Sequence, residues 1–169
     1  VSGEPGAAGL GLQNLLGRLA LPEPLRAICL AALHRPTPRL ELGLALRGVA
    51  SAAIDVSDGL LGDLTHILER SRLAAVVEPH RLPELVGADS PLAVAAQRAQ
   101  LAGGDDYELI FAAPPDQRRS IELIAANLGL QLNCFGRLIA AADGVAPLTL
   151  IDAEGHPMTI EKTGYDHFA

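Results

Sequence analysis

Ile54-Asp55-Val56-Ser57-Asp58-Gly59-Leu60 joins two kinds of periodicity. Upstream of it, Val49 to Val56 is a short apolar run that reads as a buried strand. Downstream, Leu60, Leu61, Leu64, Ile67 and Leu68 recur at helical spacing. They predict a helix from Asp58 to Ser71, with Asp63, Glu69 and Arg70 off its apolar face. Whatever lies between a strand and the helix it feeds sits at a mouth. Extended residues two apart point to one side, and helix entrance rotates Asp58 toward the side of Asp55. Two carboxylates converging there suit one or two hard cations. Magnesium takes carboxylate and phosphate oxygens and completes its shell with water. Ser57 can donate to a phosphate oxygen, and Gly59 allows close approach of backbone or ligand. A plainer reading stands beside this one. Ser57 or Asp58 is then only the helix N-cap, accepting free backbone N–H groups, and Asp63 adds favourable charge early in the helix.

Working outward, strand-like and helix-like segments alternate. Ser2 to Gly11 holds four glycines and a proline and reads as a loop. Leu10, Leu15, Leu16 and Leu19 then mark one face of a short helix. Further helices are predicted from Pro24 to His34, broken by Pro36 and Pro38, and over Arg39 to Arg47. Ala74 to Glu78 is the next strand and Pro91 to Gln100 the next helix. Tyr107 to Ala113 is a strand reached through Gly103-Gly104. A helix opens at Pro114-Pro115-Asp116 and stops at Gly129. Leu132 to Leu138 and Leu148 to Ile151 are strands, the second followed by a turn at Asp152 to Gly155. The alternation gives an α/β class, a sheet packed against helices. With no repeat or linker, 1–169 reads as a single domain.

Two more clusters carry polar chemistry. Gly103-Gly104-Asp105-Asp106-Tyr107-Glu108 crowds three acids and two glycines at a strand entrance. It is either a ligand-facing loop, with Asp105 meeting a cationic or hydroxyl-bearing substrate, or a solvated acidic turn. The tail Thr163 to Phe168 gathers Tyr165, Asp166, His167 and Phe168 in a chain with only 3% aromatics. An aromatic there either stacks on a flat cationic ring or docks the tail on the core. His167 has no second His or Cys at metal-ligand spacing. No Walker-type glycine loop and no protein-kinase glycine loop is present.

Composition narrows the classes. A net charge of −7 argues against a sequence-independent nucleic-acid binder. It leaves nucleotide binding open, because acids hold the metal that holds the phosphates. No apolar run reaches the roughly 18–20 residues that span a bilayer, and no signal peptide opens the chain. Cys29 and Cys134, both with apolar neighbours, read as buried free thiols in a reducing compartment, the cytoplasm. The absence of an initiator Met before Val1 fits a fragment.

The order of these clusters is more specific than any one of them. Ile54 to Leu60, Asp63-Leu64 with His66-Ile67, Leu82-Pro83, Gly103 to Leu109 and Gly164 to Phe168 together resemble the C-terminal half of the thiamine-monophosphate kinase family. Arg35-Pro36, Pro38-Arg39 and Val1-Ser2-Gly3 resemble it too. That family is similar to the aminoimidazole ribonucleotide synthetase-like ATP enzymes, with selenophosphate synthetase and a hydrogenase maturation factor. The resemblance implies a mixed sheet packed against helices. It implies transfer of the ATP γ-phosphate to thiamine phosphate, giving thiamine diphosphate, with magnesium in a cleft between two domains. Asp55 and Asp58 are then magnesium ligands, Ser57 an ATP contact, Asp105 a substrate-contacting acid and Tyr165 the partner of the thiamine ring. The resemblance also implies an absent N-terminal domain that supplies further metal ligands and a homodimer contact, so the chain alone is expected to be inactive. The alternatives are another ATP enzyme of that superfamily, selenophosphate synthetase-like or hydrogenase-maturation-like, and a non-catalytic binding domain.

Overall fold

The computed structural model describes residues 1–142, 144 and 146–159. In chain order the helices are α1 (Ala7–Leu15), α2 (Leu25–His34) and α3 (Leu40–Ala45), then strand β1 (Ala52–Asp55), helix α4 (Leu60–Ser71) and strand β2 (Leu73–Val77). Helix α5 (Ala93–Ala102), strand β3 (Leu109–Ala112) and helix α6 (Arg118–Leu128) follow. Strands β4 (Gly136–Ala140), β5 (Leu148–Ile151) and β6 (Pro157–Met158) complete the described elements.

Two sheets form. β1 and β3 pair antiparallel, with Ile54 opposite Ile110 and Asp55 opposite Leu109. The other sheet has the order β4-β2-β5-β6 and is mixed, since β2 and β5 run parallel and the other pairs antiparallel. Helix α4 serves both. Its Leu60, Leu61, Leu64, Ile67 and Leu68 share one core with Ala75 and Val77 of β2, Leu150 of β5 and Ile110 of β3. The stripe read from the sequence is therefore the packed face. A second core joins α1, α2 and α5 through Leu10, Leu21, Cys29, Ala96 and Ala99.

The α/β expectation holds, and its departures have physical reasons. The glycine-rich opening is not all loop, because α1 starts at Ala7. A side chain at Gly11 would lie 2.4 Å from the Cys29 carbonyl oxygen. That glycine brings two helices together rather than making a turn. The buried face of α1 is consequently Ala7 to Gly11, while Leu15 and Leu16 are exposed. The strand expected from Leu132 forms only an isolated bridge there, Ser2 to Leu132, and regular pairing begins at Gly136. Both cysteines are free, as read, but Cys134 is exposed.

Candidate functional site

The β1–β3 ladder continues past both strands into the two acidic segments. The Val56 N–H donates to the Glu108 carbonyl at 2.8 Å, and the Tyr107 N–H to the Val56 carbonyl at 2.9 Å. The Asp105 N–H donates to the Ser57 carbonyl at 3.0 Å. Asp55 to Asp58 and Asp105 to Glu108 thus form one mouth at the head of α4. Glycines allow the approach. A Cβ at Gly104 would stand 2.3 Å from the Ser57 carbonyl oxygen. Gly59, at φ 115, lies against the Ala102 backbone.

Neither Ser57 nor Asp58 caps α4. The N-cap position is Gly59, without a side-chain cap bond. A carboxylate from inside the helix instead holds the loop that precedes it. Asp63 Oδ2 accepts from the Ser57 N–H at 2.9 Å and the Asp58 N–H at 3.0 Å. Asp63 is only 2% exposed, not off the apolar face as its helical position suggests. Burial raises its pKa against those two donors, and the charges of Asp58 and Asp55 raise it further. By gripping the loop from below, Asp63 leaves Asp55 exposed and Asp58 half-buried at the mouth.

The second segment alternates. Asp105 and Tyr107 have φ of 66° and 52°, conformations that cost a non-glycine residue about 1–3 kcal/mol each. Both are exposed, whereas Asp106 and Glu108 are buried. Asp106 accepts from the Gly6 N–H at 2.6 Å and the Ala8 N–H at 3.1 Å, and so caps α1 from a distant loop. Burial pushes its carboxyl up to about 7 against those donors. Glu108 takes a two-pronged bond from Arg39, 2.7 Å from Nε and 2.6 Å from Nη2. It also accepts from the Ser2 hydroxyl. Beside the mouth runs an apolar cleft of about 550 Å³ between α3 and the β1–β3 ladder. Pro38, Leu40, Leu44, Tyr107 and Leu109 line it, with Asp55 at its rim.

Chemically, the mouth offers two outward carboxylates and one hydroxyl beside a loop carrying a third acid. Among the described residues no group of three or more His, Cys, Asp or Glu is arranged to hold a metal by itself. Two carboxylates suit a magnesium ion that keeps waters and takes phosphate oxygens.

No family model matches the chain. The thiamine-monophosphate kinase of Salmonella typhimurium is 40% identical over 174 residues, all of this chain and 51% of the relative. The crystal structure of a thiamine-monophosphate kinase from Stenotrophomonas maltophilia K279a superposes with a TM-score of 0.74 at 40% identity. It covers 89% of this chain and 48% of that one. The chain belongs to the thiamine-monophosphate kinase family. It spans about half the length of the curated relatives it matches. A further family structure, AaThiL complexed with AMPPCP and TMP, aligns at 25% identity with a TM-score of 0.73, over 99% of this chain and 50% of that one.

Of the residues singled out by sequence and family resemblance, Asp55, Ser57, Asp58 and Asp105 come together at the mouth. Tyr165 lies outside the described residues. Sequence reasoning missed the inward set, Ser2, Arg39, Asp63, Asp106 and Glu108. No local signal marked Asp106 and Glu108 as inward, because their direction follows from the left-handed backbone of Asp105 and Tyr107.

Proposed function

We propose that the full protein transfers the γ-phosphoryl group of ATP to thiamine phosphate, and that this chain supplies the C-terminal side of its active site. What carries the reading is the joining of Asp55–Asp58 to the Asp105 loop by three backbone bonds, in a chain matching kinases of this family from end to end. The neighbour complexed with AMPPCP and TMP supports the same pair of substrates. Asp55 and Asp58 would hold magnesium. Bound there, the metal supplies charge neutralisation for the phosphates. Ser57 donates its hydroxyl to a phosphate oxygen of ATP. Asp105 faces the acceptor. Tyr165 stacks on the thiamine ring, an assignment resting on the family resemblance alone. An oxygen of the acceptor phosphate, already anionic, bonds to the γ-phosphorus as the bond to ADP breaks, so no strong general base is needed. The rest of the polypeptide brings further metal ligands, and the resemblance implies a cytoplasmic homodimer.

The test uses full-length protein with ATP, magnesium and a panel of phosphorylated acceptors. Thiamine phosphate should be converted to thiamine diphosphate, and Asp55→Ala or Asp58→Ala should each lower kcat/KM by at least about 100-fold. The 169-residue chain alone should show no turnover. An inert thiamine phosphate beside another acceptor that turns over would sink the assignment.

A further inference from the structure

Three separated segments meet at Glu108. Arg39 grips its carboxylate through both Nε and Nη2. The Ser2 hydroxyl donates to the same carboxylate and accepts from the Leu109 N–H at 2.9 Å. Gly3 makes the room, since any Cβ there would fall 2.1 Å from Glu108 Oε1. Glu108 is 7% exposed, and among the described residues no buried side-chain nitrogen or oxygen lacks a partner. This knot adjoins Tyr107, and two residues before it stands Asp105. Both hold left-handed backbone conformations that side chains resist. Such conformations persist only where the surroundings over-determine them. The bonds from Asp105 and Tyr107 to Ser57 and Val56 fix one side of the loop. The Glu108 knot fixes the other.

We propose that Glu108, clamped by Arg39 and Ser2, is a positioning residue that holds the Asp105–Tyr107 loop so that Asp105 faces the mouth and Tyr107 the cleft. The proposal rests on the assignment of Asp105 to the acceptor side of the reaction. Glu108 touches no substrate. It acts through the loop, where a displacement of about 1 Å is enough to cost roughly 100-fold. The plain alternative is an ion pair that only stabilises the fold. Buried pairs of that kind are often replaced by apolar residues without loss of stability, which provides the discriminating variant.

The experiment measures KM for thiamine phosphate, KM for ATP, kcat and melting temperature in full-length protein. The variants are Glu108→Gln, Arg39→Lys, the paired Arg39→Met/Glu108→Leu, and Asp105→Ala. Glu108→Gln and the paired variant should raise KM for thiamine phosphate by about 10- to 100-fold and leave KM for ATP unchanged. Arg39→Lys keeps the charge and loses the fork, and should fall between them and wild type. The paired variant keeps the site packed if Glu108→Gln fails to fold. Amides of Asp105 and Tyr107 should exchange faster in the paired variant, because their bonds to Ser57 and Val56 loosen. A paired variant with wild-type KM and a changed melting temperature makes Glu108 merely structural and overturns the proposal. If Asp105→Ala itself leaves KM for thiamine phosphate unchanged, the assignment of Asp105 has failed and the proposal falls with it.

Discussion

Gly104 shows how tightly single residues are constrained at the mouth. Its missing Cβ would lie 2.3 Å from the Ser57 carbonyl oxygen, a backbone atom that cannot swing aside. Gly104→Ala should therefore push the Asp105 loop from the Ser57 loop at a cost of about 1–3 kcal/mol. A urea titration should show a lower midpoint with an unchanged slope, and an unmoved midpoint would contradict the close approach. At this scale the sequence was legible for the residues that meet at the mouth. Asp55, Ser57, Asp58 and Asp105 were all readable as candidates and share one mouth. Helical spacing alone placed Asp63 off the packed face, because it ignores a loop that folds back over the helix start. The part-buried N–H groups of Ser57 and Asp58 find their acceptor there, which offsets the cost of burying a carboxylate. The alternation of Asp105, Asp106, Tyr107 and Glu108 depends on two left-handed residues, which no propensity for Asp or Tyr foretells.

Among the elements, α1 has the most unusual support. It begins with Gly6 at φ 96 and no cap of its own, and Asp106 from the β3 approach takes that role. A glycine-rich opening reads as a loop because local sequence supplies no start signal, and the signal sits 98 residues away. The long amphipathic α4 was legible because burial of one stripe alone specifies it. The Asp106 carboxyl titrates near 7 in the fold, against 3.8 ordinarily. Between those values the folded state holds a proton that the unfolded state has released. Stability from this group is thus fully present below about pH 4 and falls as pH rises toward about 7, by a few kcal/mol at most. Glu108 and Asp105 add charge that raises the same pKa, and Cys29 is coupled to it across the α1–α2 contact. Asp106→Asn removes the titration and keeps one acceptor. The difference in melting temperature between wild type and Asp106→Asn should shrink as pH is raised from 5 to 8. A constant difference would mean that Asp106 does not titrate in that range.

For the whole molecule, the surface beside the mouth carries the next consequence. Leu40 is 74% exposed, Leu44 66% and Tyr107 40%, around an apolar cleft with Asp55 at its rim. Contiguous apolar surface of this kind marks a contact in the working protein and a liability when bare. The chain matches about half the length of its relatives, and the function proposed above sets the rest of the polypeptide against the mouth. Together with the exposed leucines, this predicts that the 169-residue chain, purified alone, associates with itself through this face. Sedimentation velocity over a hundredfold range of concentration, about the span needed to bracket a micromolar constant, should show a shift toward larger species. Leu40→Glu/Leu44→Glu replaces the two most exposed leucines of the cleft and should return the chain to a monomer without lowering its unfolding free energy by more than about 0.5 kcal/mol per substitution, as for other surface changes. The same pair in full-length protein should weaken activity, by opening the contact proposed between this face and the rest of the polypeptide. A monomeric wild-type chain at every concentration, or full activity in the double variant, would separate this cleft from the contact it is inferred to make.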